Sequence, residues 1–326
     1  MPKSDLAFFE GVSLAVLCGI LVFDLLLVVR RSHTPSNKES ALWVTLYAVL
    51  AIIFGAVIWQ LFGAELGAEF YAGWLTEYSL SIDNLFVFII IMSRFKVPRQ
   101  LQQEVLMFGV ITALILRGAF ILVGATLIKD FSWIFYLFGA FLLYTAYHQA
   151  FRSHEDEEDS EGRLLSWLRK KIRVSDEFDG SKFRTTIDGR KVLTPMLMVF
   201  IAIAATDTMF AFDSIPAIFG ITQNAFIVFA ANVFALMGLR QLYFLLGDLL
   251  DRLVYLKYGI AFILGFIGFK LLAHAAHVNE LPFINGGHHI AWAPEIPTSL
   301  SLGVILASVA VSAIASLLKT SDRSTH

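Results

Sequence analysis

Glu77-Tyr-Ser-Leu-Ser-Ile-Asp83-Asn84-Leu-Phe-Val-Phe-Ile-Ile-Ile-Met92 is apolar enough to lie in a bilayer, yet it carries two acids. Asp207-Thr-Met-Phe-Ala-Phe-Asp213-Ser214, inside the apolar stretch from Met196 to Gly220, repeats the pattern: an acid, a second acid six residues later, then a small polar residue. Ionisable groups at membrane depth are expensive and are kept where they bind or move something. These two stretches make the chain a membrane protein with a polar centre.

Outward from them, the whole chain is built for lipid. Of 326 residues, 57% are hydrophobic and 16% charged, with 30 Phe, where soluble domains run at about half and a quarter. Runs of about 20 apolar residues read as membrane helices. Hydropathy places nine, at roughly 8–29, 42–62, 70–93, 105–128, 131–150, 195–219, 225–247, 254–276 and 298–318. The expected fold class is all-α, a polytopic membrane protein of about nine transmembrane helices. The first run is long and has no basic stretch before it, which reads as a span rather than a cleavable leader. The surplus of aromatics reads as lipid-facing bulk and interfacial belt. A single cysteine, Cys18, excludes an intrachain disulfide and a metal–thiolate cluster.

The basic residues are sorted by loop. Arg30, Arg31 and Lys38, then Arg94, Lys96 and Arg99, ten between 152 and 191, Arg252 and Lys257, and Lys319 and Arg323 make 20 of the 25 Lys and Arg. All fall on one side if the N-terminus is outside and the C-terminus cytoplasmic, as the positive-inside rule requires. The other side holds Lys3 and Lys129, with Lys270 near a helix end.

The division expected is 1–69 for two peripheral spans, 70–150 for a first three-helix unit, 151–193 for a cytoplasmic loop, 194–276 for a second unit, and 277–326 for an outer loop, a last span and a tail. In the loop, Leu164, Leu165, Leu168 and Ile172 beside Arg169, Lys170, Lys171 and Arg173 suggest a short helix lying on the membrane surface. Phe183 to Leu193 reads as a hairpin turning at Asp188-Gly189. The acidic run His154 to Asp159 reads as a solvated charge run.

The two units resemble each other beyond the acids. Leu116-Arg117 precedes Gly124 by the same interval at which Leu239-Arg240 precedes Gly247. Three helices end on the side opposite their start, so the second copy is inverted. The expectation is an inverted 3+3 repeat, segments 3–5 against segments 6–8, the design of transporters whose site lies near the midplane. Antiparallel packing of segments 3 and 6 would set Glu77 level with Asp213 and Asp83 level with Asp207. Residues seven apart share a face, so Asn84 joins Glu77 and Ser214 joins Asp207. The second acid of each pair is turned well round, so either the helices unwind locally or it faces another helix. Pro216 supports unwinding, since it frees the carbonyl of Phe212 as a further oxygen ligand.

Four acids with Arg117 and Arg240 leave a charge that one divalent cation cancels. The expected metal ligands are Glu77, Asp83, Asn84, Asp207, Asp213 and Ser214, with Arg117 and Arg240 balancing charge. Carboxylate, amide and hydroxyl oxygens suit Mn²⁺, Ca²⁺ or Mg²⁺. The competing reading makes each acid only the ion-pair partner of an arginine. Weaker candidates are Asp24, close to Arg30; His274 and His277, with His288 and His289 in the following loop; and Asn232 and Gln241 on segment 7. No paired-histidine motif or nucleophile elbow occurs, so the chain is not expected to be an enzyme or to hold a prosthetic group. Nothing in it points to nucleic acid, and it leaves the oligomeric state open.

Glu77 to Asn84, Asp207 to Ser214 continuing Ile-Pro216-Ala-Ile-Phe, Leu239-Arg240, and Leu256-Lys257-Tyr258-Gly259 resemble the TerC/Alx family of integral membrane proteins over nearly the whole chain. That family is associated with tellurite resistance by name, with alkaline-pH response and with manganese efflux, and is grouped with the LysE exporter superfamily. The resemblance implies a multi-pass protein of the bacterial inner membrane that exports Mn²⁺, with Glu77, Asp83, Asp207 and Asp213 at the family's acidic positions. One position departs: Ala204 stands where relatives carry Glu.

The expected function is a secondary transporter exporting a divalent cation, Mn²⁺ before Ca²⁺ or Mg²⁺, with protons as the counter-ion. Two alternatives stand beside it. One is an accessory protein that delivers metal to secreted enzymes or scaffolds a stress complex. The other is a LysE-like amino-acid exporter whose carboxylates hold a substrate amine.

Overall fold

The computed structural model describes residues 9–21, 36–131, 133–151, 174–175, 177–187, 190–246, 255–290 and 292–323. The chain forms α1 (Phe9–Leu21), α2 (Asn37–Phe62), α3 (Ala64–Arg94), α4 (Arg99–Asp130) and α5 (Ile134–Phe151). A hairpin follows, β1 (Arg184–Ile187) and β2 (Arg190–Leu193). Then come α6 (Pro195–Phe219), α7 (Ala225–Met237), α8 (Leu239–Leu246), α9 (Leu256–His277) and α10 (Thr298–Arg323).

Seven of the described stretches are long and apolar enough to cross a membrane: α2, α3, α4, α6, the run Ala225–Leu245 through α7 and α8, α9, and Thr298–Ser316 of α10. The first and fifth expected segments are helical as well, as the short α1 and the 18-residue α5. The chain is a polytopic helical membrane protein.

Helix ends follow local chemistry. Asn224 opens α7 by accepting the Phe226 and Ile227 amides on its side-chain oxygen, which satisfies donors that have no partner inside the helix. Pro195 opens α6, where a missing N–H costs nothing. Between α2 and α3 the chain reverses at Gly63, whose φ of 100° lies in the left-handed region that other residues avoid.

The packing pairs α3 with α7, α4 with α6, and α5 with α9. Gly109 and Gly124 of α4 meet Ile203 and Phe219 of α6 in that order, so these two helices are parallel. Gly73 and Gly238 likewise order α3 parallel to α7, through Ala231 and Tyr78. Helices α5 and α9 are antiparallel and meet backbone to backbone: a Cβ on Gly139 would stand 2.9 Å from the Gly268 carbonyl oxygen. Small residues allow that approach, and dispersion contacts then hold the pair where no hydrophobic drive exists.

The centre is α3 and α7, whereas α2 and α10 turn apolar faces outward through Leu42, Ile53, Leu306 and Val311. The aromatics are not all outside as expected. Phe54, Phe70 and Phe234 pack ring to ring, and Phe70 and Phe234 are buried, because rings gain edge-to-face contacts there beyond their area.

The hairpin pairs Arg184 with Leu193 and Ile187 with Arg190, and Phe183 ahead of it wedges against Phe108 of α4 and Phe200 of α6. The expected surface helix around Leu164 to Arg173, the acidic run His154 to Asp159, and Asp24 lie outside the described residues. Local unwinding does not occur: α3 is unbroken, and α6 runs through Pro216 to Phe219. The Phe212 side chain points outward onto Phe120.

Candidate ion site

Helices α3, α4 and α6 each bring one charged side chain to a single buried point. Glu77 is 0% exposed, Arg117 1% and Asp207 2%. Arg117 Nη1 donates to Glu77 Oε2 at 2.6 Å, and Nη2 stands 3.7 Å from Asp207 Oδ1. One guanidinium thus serves two carboxylates. A charge taken out of water needs such a partner, since removing one side of a buried pair costs about 3–5 kcal/mol.

The knot is under-satisfied. Glu77 Oε1, Asp207 Oδ2 and Arg117 Nε have no hydrogen-bond partner. Beside Glu77 lies Asn232, itself buried and close enough to act on that carboxylate. On the same helices the hydroxyls of Thr76, Ser81 and Ser214 are also buried and unpaired. Each such group costs about 1–3 kcal/mol. Native proteins hold only a few per hundred residues, and here most of them lie along α3, α6 and α7.

The pairing differs from the expectation. Glu77 meets Asp207, not Asp213. Asp213 accepts from Thr145 Oγ1 of α5 at 3.1 Å. Six helical residues at about 100° each turn Asp213 roughly 120° away from Asp207 around α6. The intact helix therefore sends the two acids to different neighbours. The backbone of Asp83 lies in α3, and its side chain is outside the described structure. Asn84 and Ser214 are buried. Arg240 opens α8 and is partly buried. Among the described residues, no three His, Cys, Asp or Glu side chains gather closely enough to hold a metal ion.

The sequence reading passed over two features. Thr145, Asp213's partner, is an ordinary threonine in an apolar run. Glu69 of α3 accepts from Thr222 Oγ1, with the Lys270 ammonium nearby. Its spacing was the available signal, because Glu69 is two turns from Glu77 on one face. At this end of the bundle a cavity of about 680 Å³ is lined by Glu65, Lys270, His274 and Glu295, among others. His277 Nε2 stands 2.9 Å from Glu295 Oε1, and His274 Nε2 3.2 Å from Gln223 Nε2. Three of the histidines that looked scattered in sequence lie near one another at this end: His274 is close to His277, and His289 is 6.4 Å from His277 between ring centres.

The fold and the buried charges belong to a recognisable class. Residues 62–324 match the Integral membrane protein TerC family, and the chain belongs to that family. It is 43% identical over 315 residues to an uncharacterised membrane protein of Mycobacterium tuberculosis, covering 95% of this chain and 79% of that one. A second uncharacterised membrane protein, from Myxococcus xanthus, is 37% identical over 307 residues, 94% and 91% of the two chains. A protein of Escherichia coli K12 named as a candidate membrane-bound redox modulator, Alx, is 39% identical over 300 residues, 89% and 88% of the two. No solved structure matches.

Proposed function

We propose that this protein is a secondary transporter that exports a divalent cation, Mn²⁺ before Ca²⁺ or Mg²⁺, across the bacterial cytoplasmic membrane with its N-terminus outside. The observation that carries the reading is the shared guanidinium. Glu77 and Asp207 come from different halves of the chain, meet inside the membrane, and each hold one oxygen back from Arg117. Arg117 supplies the positive charge these acids need when no cation is there, so an arriving cation competes with it rather than with water. The donors are oxygens only, the set that hard divalent ions prefer. The metal is the cargo, and Asp213, Ser214, Asn84 and Asn232 are the further oxygen donors along its path.

Packing supports an inverted repeat behind this site. Exchanging α3 with α6, α4 with α7 and α5 with α9 turns the α3/α7 contact into α6/α4 and leaves α5/α9 paired with itself. Equivalent residues meet each other only at a two-fold axis, and Glu77 meets its own counterpart Asp207. Rocking of the halves about that axis would expose the site alternately to each side, with protons taking the cation's place on the return. The redox role in the name of the Alx relatives fits a metal-mediated effect better than dithiol exchange, since Cys18 is this chain's only thiol.

The test is Mn²⁺ uptake into inverted vesicles carrying a pH dye. Glu77→Gln and Asp207→Asn should each abolish uptake and the linked proton signal in protein that still folds. Wild-type flux in both variants would sink the assignment. Displacement of Mn²⁺ by millimolar lysine would instead support an amino-acid exporter.

A further inference from the structure

The motif Leu256-Lys257-Tyr258-Gly259 plays no part in the ion site, yet it builds a surface of its own. Gly259 of α9 packs so closely on α10 that a Cβ there would stand 2.5 Å from Ser312 Oγ, and Ser308 donates to the Gly259 carbonyl at 3.0 Å. Those small residues form the floor of a groove of about 570 Å³ between α9 and α10. Its walls are Tyr258 and Phe262 on one side and Val304, Ala307 and Val311 on the other. Tyr258, Phe262 and Val311 are about half exposed or more, so the groove opens to the lipid side of the bundle.

One end of the groove is charged. Lys257 Nζ lies 5.0 Å from the Tyr258 ring centre, and Lys319 Nζ lies 4.8 Å from that of Tyr255. Tyr255 is itself pinned, its amide donating to Ser316 Oγ at 2.9 Å. Aromatic rings hold ammonium groups in this way at a membrane surface, where long basic side chains reach for the headgroup layer. An apolar trough ending in two held cations complements one kind of molecule in a membrane. We propose that this groove binds an anionic phospholipid, with an acyl chain along Gly259, Ser308 and Ser312 and the headgroup phosphate between Lys257 and Lys319. The bound lipid would act as a strap joining the peripheral α10 to α9.

The test is lipid retention by the purified full-length protein, measured by native mass spectrometry after exchange into phosphatidylglycerol or phosphatidylcholine at equal concentration. The wild type should keep phosphatidylglycerol and release phosphatidylcholine. A basic residue near an anionic headgroup contributes roughly fivefold in affinity, so Lys257→Gln with Lys319→Gln should lower retention about 25-fold. Ala307→Trp, which fills the trough from its exposed side and leaves both lysines in place, should lower it as well. Equal retention of the two lipids, or retention unchanged in both variants, would overturn the proposal. So would a dimer that Ala307→Trp dissociates, since the groove would then be the seat of a second copy of the chain.

Discussion

Glu69 and Glu77 lie two turns apart on one face of α3, and the protein treats them in opposite ways. Glu69 sits near the helix end, bonded by Thr222 and close to Lys270, beside a cavity of about 680 Å³. Glu77 is fully buried, shares its arginine with a second acid, and leaves one oxygen unmet. The first is a satisfied acid near an opening. The second is held at a deficit where water cannot make it up. On the proposed reading, that deficit at a buried point is kept for the cation, whereas a satisfied pair near the rim needs only a packing role.

Substitution of Arg117 should break the contrast most severely. Arg117→Gln leaves Glu77 and Asp207 facing each other without a cation and should cost about 3–5 kcal/mol, read as a large fall in thermal stability in detergent. Adding Glu77→Gln to that variant should recover much of the loss. At the Glu69 end, Thr222→Val removes one bond from a carboxylate that keeps its lysine and should cost about 1.5–3 kcal/mol, with Mn²⁺ flux into vesicles largely retained. If Thr222→Val proves as costly as Arg117→Gln, the distinction between a deficit and a satisfied pair is wrong. Ala204→Glu sharpens the comparison from the other direction. It sets a third acid one turn from Asp207, and without a second cation it should lower thermal stability by about 1–2 kcal/mol. Added Mn²⁺ should return that loss in the variant more than it stabilises the wild type.

These outcomes depend on partnerships that the sequence could not supply. Helix positions were legible because hydropathy needs only local composition: within the described residues the nine expected segments coincide with helices, seven of them long and apolar enough to span. The motif acids were legible too, since charge stands out against apolar neighbours. Which acid meets which was not. The expectation set Glu77 level with Asp213 and looked to Pro216 to unwind α6, but α6 stays intact, and a six-residue step then turns Asp213 toward Thr145. Arg117 and Arg240 sit in matching dipeptides, and nothing in those dipeptides says that Arg117 alone spans Glu77 and Asp207. Glu69 escaped notice because an acid near the end of a span reads as an interfacial residue. The Gly139–Gly268 approach was hidden for another reason: a close backbone contact leaves no mark on hydropathy.

The smallest expected effect is also the most selective. Ser214 lies seven residues beyond Asp207, on the same face of α6, with its hydroxyl buried and unpartnered. A hydroxyl kept for structure would be bonded, and its loss would destabilise. One kept for a passing cation is a burden in its absence, so Ser214→Ala should leave stability unchanged or raise it by up to about 1 kcal/mol while Mn²⁺ flux falls. Opposite signs from the loss of one hydroxyl separate a packing role from a transport path more cleanly than any loss of function can. A drop in stability with flux per folded molecule intact would assign Ser214 to packing and confine the path to Glu77, Asp207 and Arg117.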